Sequence, residues 1–163
     1  MIYYKTSEEI ELIRHSCLLV SKTHAYVAKE LKPGMTGLEI DKLAEAFILD
    51  HGAKPAFKGY NGFPATLCIS VNETIVHGIP NKTPLKEGDV VSLDCGVVAN
   101  GFFGDAAYTY MIGDVADATV KLLEVTRECL ALGIEAARVG NRIGDIGFAI
   151  QNHAEKIHGY GVV

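Results

Sequence analysis

Two aspartates, Asp94 and Asp105, flank Asn100-Gly101 within runs of β-forming residues, Val90 to Val98 and Phe102 to Met111. Asn-Gly is the strongest two-residue hairpin signal. With that turn, Asp94 faces Ala107 and Asp105 faces Gly96 on one side of the ribbon. The two carboxylates are then diagonal neighbours, with Cβ atoms about 7 Å apart. The rest of their face is small, consisting of Ser92, Gly96, Ala107 and Thr109, which leaves open space above the carboxylates. Like charges this close on a half-buried sheet repel and lose hydration unless a cation neutralises them or one takes up a proton. A hard divalent ion bound through oxygen suits the arrangement. Spacing alone also allows two solvent-facing aspartates on an ordinary amphipathic hairpin.

His77 lies in the run Asn72-Glu-Thr-Ile-Val-His-Gly-Ile-Pro80, directly before Gly78. A ring there can project into a cleft with the backbone held close, although a lone histidine at a strand end is more often structural than catalytic. Two β-rich runs, Thr66 to Val71 and Thr74 to His77, meet at Asn72-Glu73 and predict a second hairpin with His77 opposite Cys68. Upstream, Phe57-Lys-Gly-Tyr-Asn-Gly-Phe-Pro64 supplies rings that could wall an apolar pocket, though such aromatics usually belong to the core.

Helices must carry this sheet. Thr6 with Glu9, and Thr36 with Glu39, have capping-box spacing. Behind the first, Ile10, Ile13, Cys17, Val20, Val27 and Leu31 recur at helical intervals up to Pro33-Gly34; behind the second, Ile40, Leu43, Ala44, Phe47 and Ile48 do so up to His51-Gly52. After Gly113 a long helical pattern returns through Val120, Leu123, Leu130, Ile134 and Ala137, followed by a shorter one through Ile146, Ile150 and Ile157. Gly34, Glu39 and Ile40 match Gly140, Asp145 and Ile146 at one offset, and His51-Gly52 matches His158-Gly159 after a slip of one residue. This order predicts an internal duplication, with a first repeat over about 6–113 and a second over about 116–163 that holds only its helix pair. The 163 residues are therefore read as one domain, incomplete where the second sheet ought to begin.

The 48% apolar content fits a folded domain with a real core. A net charge of −5 without a basic run argues against nucleic acid as a partner. No segment has the form of a signal peptide or membrane span, which predicts a cytoplasmic protein. Cys17, Cys68, Cys95 and Cys129 form no Cys-x-x-Cys pair and read as reduced thiols.

The succession Gly59-Tyr-Asn-Gly-Phe-Pro64, Cys68-Ile-Ser-Val-Asn-Glu-Thr-Ile-Val-His-Gly-Ile-Pro80, Ser92-Leu-Asp-Cys-Gly96 and Gly101-Phe-Phe-Gly-Asp105 resembles the type I methionine aminopeptidases in order and spacing. The resemblance implies an α+β pita-bread fold, an antiparallel sheet with helices on one side, in two pseudo-symmetric halves around two divalent metals. Cobalt, manganese, iron and zinc are not distinguished. By motif position Asp94 would chelate one metal, Asp105 would bridge both, and His77 would donate a hydrogen bond to the scissile amide or its transition state. Phe57, Tyr60, Phe63 and Cys68, with His77, would contact the substrate, the amino-terminal methionine of peptides and nascent chains.

The family's remaining ligands, a histidine and two glutamates, come from the second half. His153, Glu155 and His158 lie on or at the end of the fourth helix and do not replace them. The chain is thus expected to be the amino-terminal part of such an enzyme, inactive alone and prone to self-association, whereas the intact enzyme is a monomer. The rival readings are a prolidase or aminopeptidase P-like peptidase, whose preceding domain is missing here, and a pita-bread module that only binds.

Overall fold

The computed structural model describes residues 2–163, and these divide into two compact units, 2–114 and 115–163. In the first unit, helix α1 (Ser7–Glu30) and helix α2 (Gly37–Asp50) each begin at the expected capping box: the Thr6 and Thr36 hydroxyls accept from Glu9 and Glu39, whose carboxylates accept from the threonine N–H groups. Four strands follow: β1 (Lys54–Pro55), β2 (Leu67–Val71), β3 (Val90–Ala99) and β4 (Phe102–Met111). All pairs are antiparallel, with β3 central between β4 on one side and β1 and β2 on the other.

Side chains alternate across a strand, and β3 uses the alternation fully. Val91, Leu93, Cys95 and Val97 are buried with Leu19, Val20 and Val27 of α1 and Ile40, Ala44 and Ile48 of α2. Ser92, Asp94 and Gly96 face the other way. Helix α1 is seated on β4 by Gly104, where a Cβ would come 2.5 Å from the Ser16 carbonyl carbon, and by the Ser16 hydroxyl, which donates to the Phe102 carbonyl at 2.9 Å. Helix α2 holds the start of β2: the buried Asp41 carboxylate accepts from the N–H groups of Thr66 and Leu67 at 3.0 and 2.8 Å. Burial pushes the Asp41 carboxyl up from the usual carboxylate range, and these two bonds counter the shift.

The β3–β4 hairpin has the expected register, Asp94 opposite Ala107 and Gly96 opposite Asp105. The second expected hairpin does not form. Strand β2 pairs with β3 instead, which puts Cys68 opposite Asp94 rather than His77, and residues 72–80 form turns and extended loop. Val76 and His77 sit consecutively at φ 44° and 51°, a left-handed backbone that no strand accommodates. One backbone-to-backbone bond from β2 to this segment remains, from the Ile69 N–H to the Gly78 carbonyl at 2.8 Å.

In the second unit, α3 (Asp117–Ala136) packs against α4 (Ile143–Gln151), which runs on into a wider π-helical turn, Asn152–Ile157. Val125, Cys129 and Ala154 form its small core, with Ile150 and Tyr160 against them. The expected stripe on α3 is only partly inward, since Leu130 and Ile134 are 63% and 65% exposed. Two helices offer each other one contact face, so an apolar face beyond it stays open. Cys68, Cys95 and Cys129 are buried, Cys17 is exposed, and all four are free thiols. Among the described residues no helix is long and apolar enough to cross a membrane.

Candidate metal centre

Asp94 and Asp105 share the sheet face turned away from the helices. The Asp94 carboxyl is pushed up to about 6, first by burial and then by the charge and hydrogen bond of Asp105. His77 is near enough for its charge to oppose that shift. The charged form of Asp94 is therefore disfavoured there, a cost that a bound cation would relieve.

Cys68 lies across from Asp94 on β2, so its thiol belongs to the same face. Burial, then the charges of Asp94 and Asp105, push the thiol up to about 11. At neutral pH it is an uncharged wall rather than a thiolate.

The face is less open than the strand residues alone imply. A Cβ on Gly96 would sit 2.5 Å from Cε1 of Phe57, so the Phe57 ring lies directly over the strand next to the carboxylates. Phe57 is fixed there because the neighbouring Ala56 N–H donates to the Gly96 carbonyl at 2.9 Å, continuing the short β1 pairing. A closed loop then folds back: Tyr60 donates to the Phe57 carbonyl, Gly59 to that of Phe63, and Phe63 to that of Tyr60. Phe63 is half-buried and Tyr60 is 70% exposed.

His77 is exposed, on the strained segment before Gly78. The Gly78 N–H donates to the Ser70 hydroxyl, and a Cβ at 78 would fall 2.2 Å from the Ile69 carbonyl oxygen. Only glycine fits, and the fit holds the histidine backbone against β2. The structure thus brings Asp94, Asp105, Cys68, Phe57 and His77 to one region, with Tyr60 and Phe63 on the loop beside Phe57.

Among the described residues, one group of three side chains stands close enough to hold a metal ion, and it lies in the second unit. Atoms of Glu128, His153 and His158 are within 4.8 Å of one another. The two histidines lie at the end of the fourth helix, as the sequence indicated. Glu155 does not join them, because it accepts from Gln151 and the Val162 N–H. Glu128 of α3 takes its place, and nothing in the local sequence around it announces the contact.

The profile of metallopeptidase family M24 matches residues 11–163. The chain is 47% identical over 164 residues to the methionine aminopeptidase of Clostridium acetobutylicum, covering 100% of this chain and 65% of that protein. It is 46% identical over 155 residues to methionine aminopeptidase 1 of Bacillus subtilis, covering 95% and 62%. The crystal structure of the methionine aminopeptidase from Rickettsia prowazekii superposes with a TM-score of 0.94 at 39% identity, covering 96% of this chain and 63% of that one. The α+β pita-bread fold is therefore the one expected, and the chain spans a little under two thirds of the length of these relatives. A family profile that matches nearly the whole chain, together with the fold, makes the chain a member of metallopeptidase family M24.

Proposed function

We propose that the protein to which these residues belong removes the amino-terminal methionine from peptides and nascent chains, with divalent cations held in part by Asp94 and Asp105. The observation that carries this reading is the carboxylate pair: two aspartates on one face, one of them raised to about 6 by burial and by the other. The donor set fits hard or borderline divalent cations, which take carboxylate oxygen readily. Two such cations are proposed, with further donors from the part of the relatives' length that these 163 residues do not span. When bound, they supply Lewis acidity and make water nucleophilic at neutral pH.

The remaining roles belong to the chain's own side chains. His77 donates its ring N–H to the scissile amide and holds charge there as the carbonyl becomes tetrahedral. Phe57, Tyr60, Phe63 and Cys68 form an apolar wall for the methionine side chain, with the neutral Cys68 thiol offering sulfur next to sulfur. The four free thiols and the net charge of −5 favour a reducing, cytoplasmic setting without a nucleic-acid partner.

We further propose that the two units are copies. In the first, the Glu39 carboxylate accepts from the Thr36 N–H at 2.8 Å; at the same offset in the second, Asp145 accepts from the Arg142 N–H at 2.7 Å.

The test is release of methionine from a Met-Ala peptide by the full-length protein. Metal-dependent release that Asp94→Asn and Asp105→Asn each abolish is the expected result. Full activity in both variants would overturn the assignment.

A further inference from the structure

The group formed by Glu128, His153 and His158 belongs to a different unit from the aspartate pair and has its own geometry. The His153 Nε2 lies 2.7 Å and the His158 Nε2 4.0 Å from the same Glu128 oxygen, Oε2. The two imidazoles meet edge to face with centroids 4.7 Å apart. The side chains are 16%, 24% and 49% exposed for His153, His158 and Glu128, so the imidazoles are largely packed while the carboxylate meets solvent.

The backbone explains the meeting. In an α-helix, residues five apart point about 140° away from each other. A π-helical turn, hydrogen-bonded i to i+5 and wider than an α-helical one, reduces that angle and turns such residues toward one face. His153 and His158 are five apart on the turn 152–157 and its end, so the local widening is what makes them neighbours. Glu128 reaches them from α3, which packs against that turn.

We propose that Glu128, His153 and His158 form a surface site for a borderline divalent transition cation, zinc above all. Two imidazole nitrogens and one carboxylate oxygen, with a further position open to water, are a donor set that zinc accepts. At metal–ligand bonds of about 2.0 to 2.2 Å, tetrahedral donors stand roughly 3.4 Å apart. The donor atoms are now within 4.8 Å of each other, so side-chain rotations that move them by about 1 Å reach that spacing. A cation between Glu128 and His153 takes the place of the 2.7 Å hydrogen bond that now joins them. It also ties α3 to the end of the helix pair, so the second unit melts later when the cation is bound.

The site belongs to a different unit from the proposed peptidase centre and is tested apart from it. Zinc chloride is titrated calorimetrically into the 163-residue chain carrying Asp94→Asn and Asp105→Asn, which removes the carboxylate pair as a competitor. One equivalent of zinc binds, and His153→Ala and His158→Ala each weaken binding by about 10-fold or more. In the unsubstituted chain, zinc shifts the ring resonances of His153 and His158 before those of His15, His24 and His51, which lie outside the proposed peptidase centre, a readout that needs no variant to fold. Binding that both alanine variants retain unchanged, no binding, or ring shifts that begin at His15, His24 or His51 would each overturn the proposal and leave a hydrogen-bonded ion pair only.

Discussion

The Phe57 ring lies over Gly96 so closely that the smallest side chain at position 96 would enter it, with Cε1 2.5 Å and the Ala56 Cβ 2.9 Å from the added carbon. Overpacking of this kind costs about 1–3 kcal/mol. Gly96→Ala should destabilise the chain by that order in urea denaturation, and the double variant with Phe57→Ala should recover part of the loss. An unchanged cost in the double variant would mean that Phe57 is not what position 96 meets.

The Asp94 carboxyl sits at about 6 in the folded chain against 3.8 for the free group. Between these values the folded state keeps a proton that the unfolded state has released. Stability from this group is therefore complete below about pH 3.8, declines as pH rises to about 6, and is level beyond. Denaturation midpoints of the metal-free chain should show that decline, and Asp94→Asn should remove it. Added manganese should stabilise most at the upper end, where it no longer competes with the proton.

His77→Ala in the full-length protein should lower kcat by roughly 10² or more, as loss of one positioned donor typically does, while metal content stays near that of the parent. A variant that purified without metal would make His77 a ligand.

Gly78→Ala should act on the same histidine from a distance. With the added carbon 2.2 Å from the Ile69 carbonyl oxygen, the bond between Ile69 and Gly78 must break and the His77 backbone must move. A fall in kcat with metal content retained is expected; a variant as active as the parent would show that this fit does not aim the ring.

The 163 residues alone should release no methionine with manganese, iron, cobalt or zinc, because two carboxylates supply fewer donors than such ions take. With Leu130, Ile134, Ile143 and Phe148 between 63% and 85% exposed, the isolated chain should also elute as oligomers on a sizing column. A monomer with turnover near that of the full-length protein would refute both expectations.

Local signals made much of this legible. The capping boxes at Thr6 and Thr36 and the Asn100-Gly101 turn set α1, α2 and the β3–β4 register, because each is decided within a few residues of chain. The pairing of β2 with β3 was hidden, since it joins Leu67 to Cys95 across a long loop while Thr74 to His77 has strand composition. The consecutive left-handed residues Val76 and His77 decide against a strand there, and composition carries no sign of them. The Phe57 ring over Gly96 and Glu128 beside the two histidines are contacts between distant segments, which neither spacing nor periodicity reports.

The π-helical turn at 152–157 also reads as a record of how the chain came to be. Under the proposed duplication, its counterpart is the end of α2, where Phe47 and His51 lie four apart on regular helix with rings 4.2 Å from each other. His153 and His158 occupy the matching places, lie five apart, and still touch at 4.7 Å. A single inserted residue, absorbed as one widened turn, accounts for the slip in the offset between the repeats while preserving a ring-on-ring contact. On that reading the divergence of the copies was an insertion that kept the packing and changed the chemistry, since a phenyl ring at 47 offers no lone pair and the imidazole at 153 does.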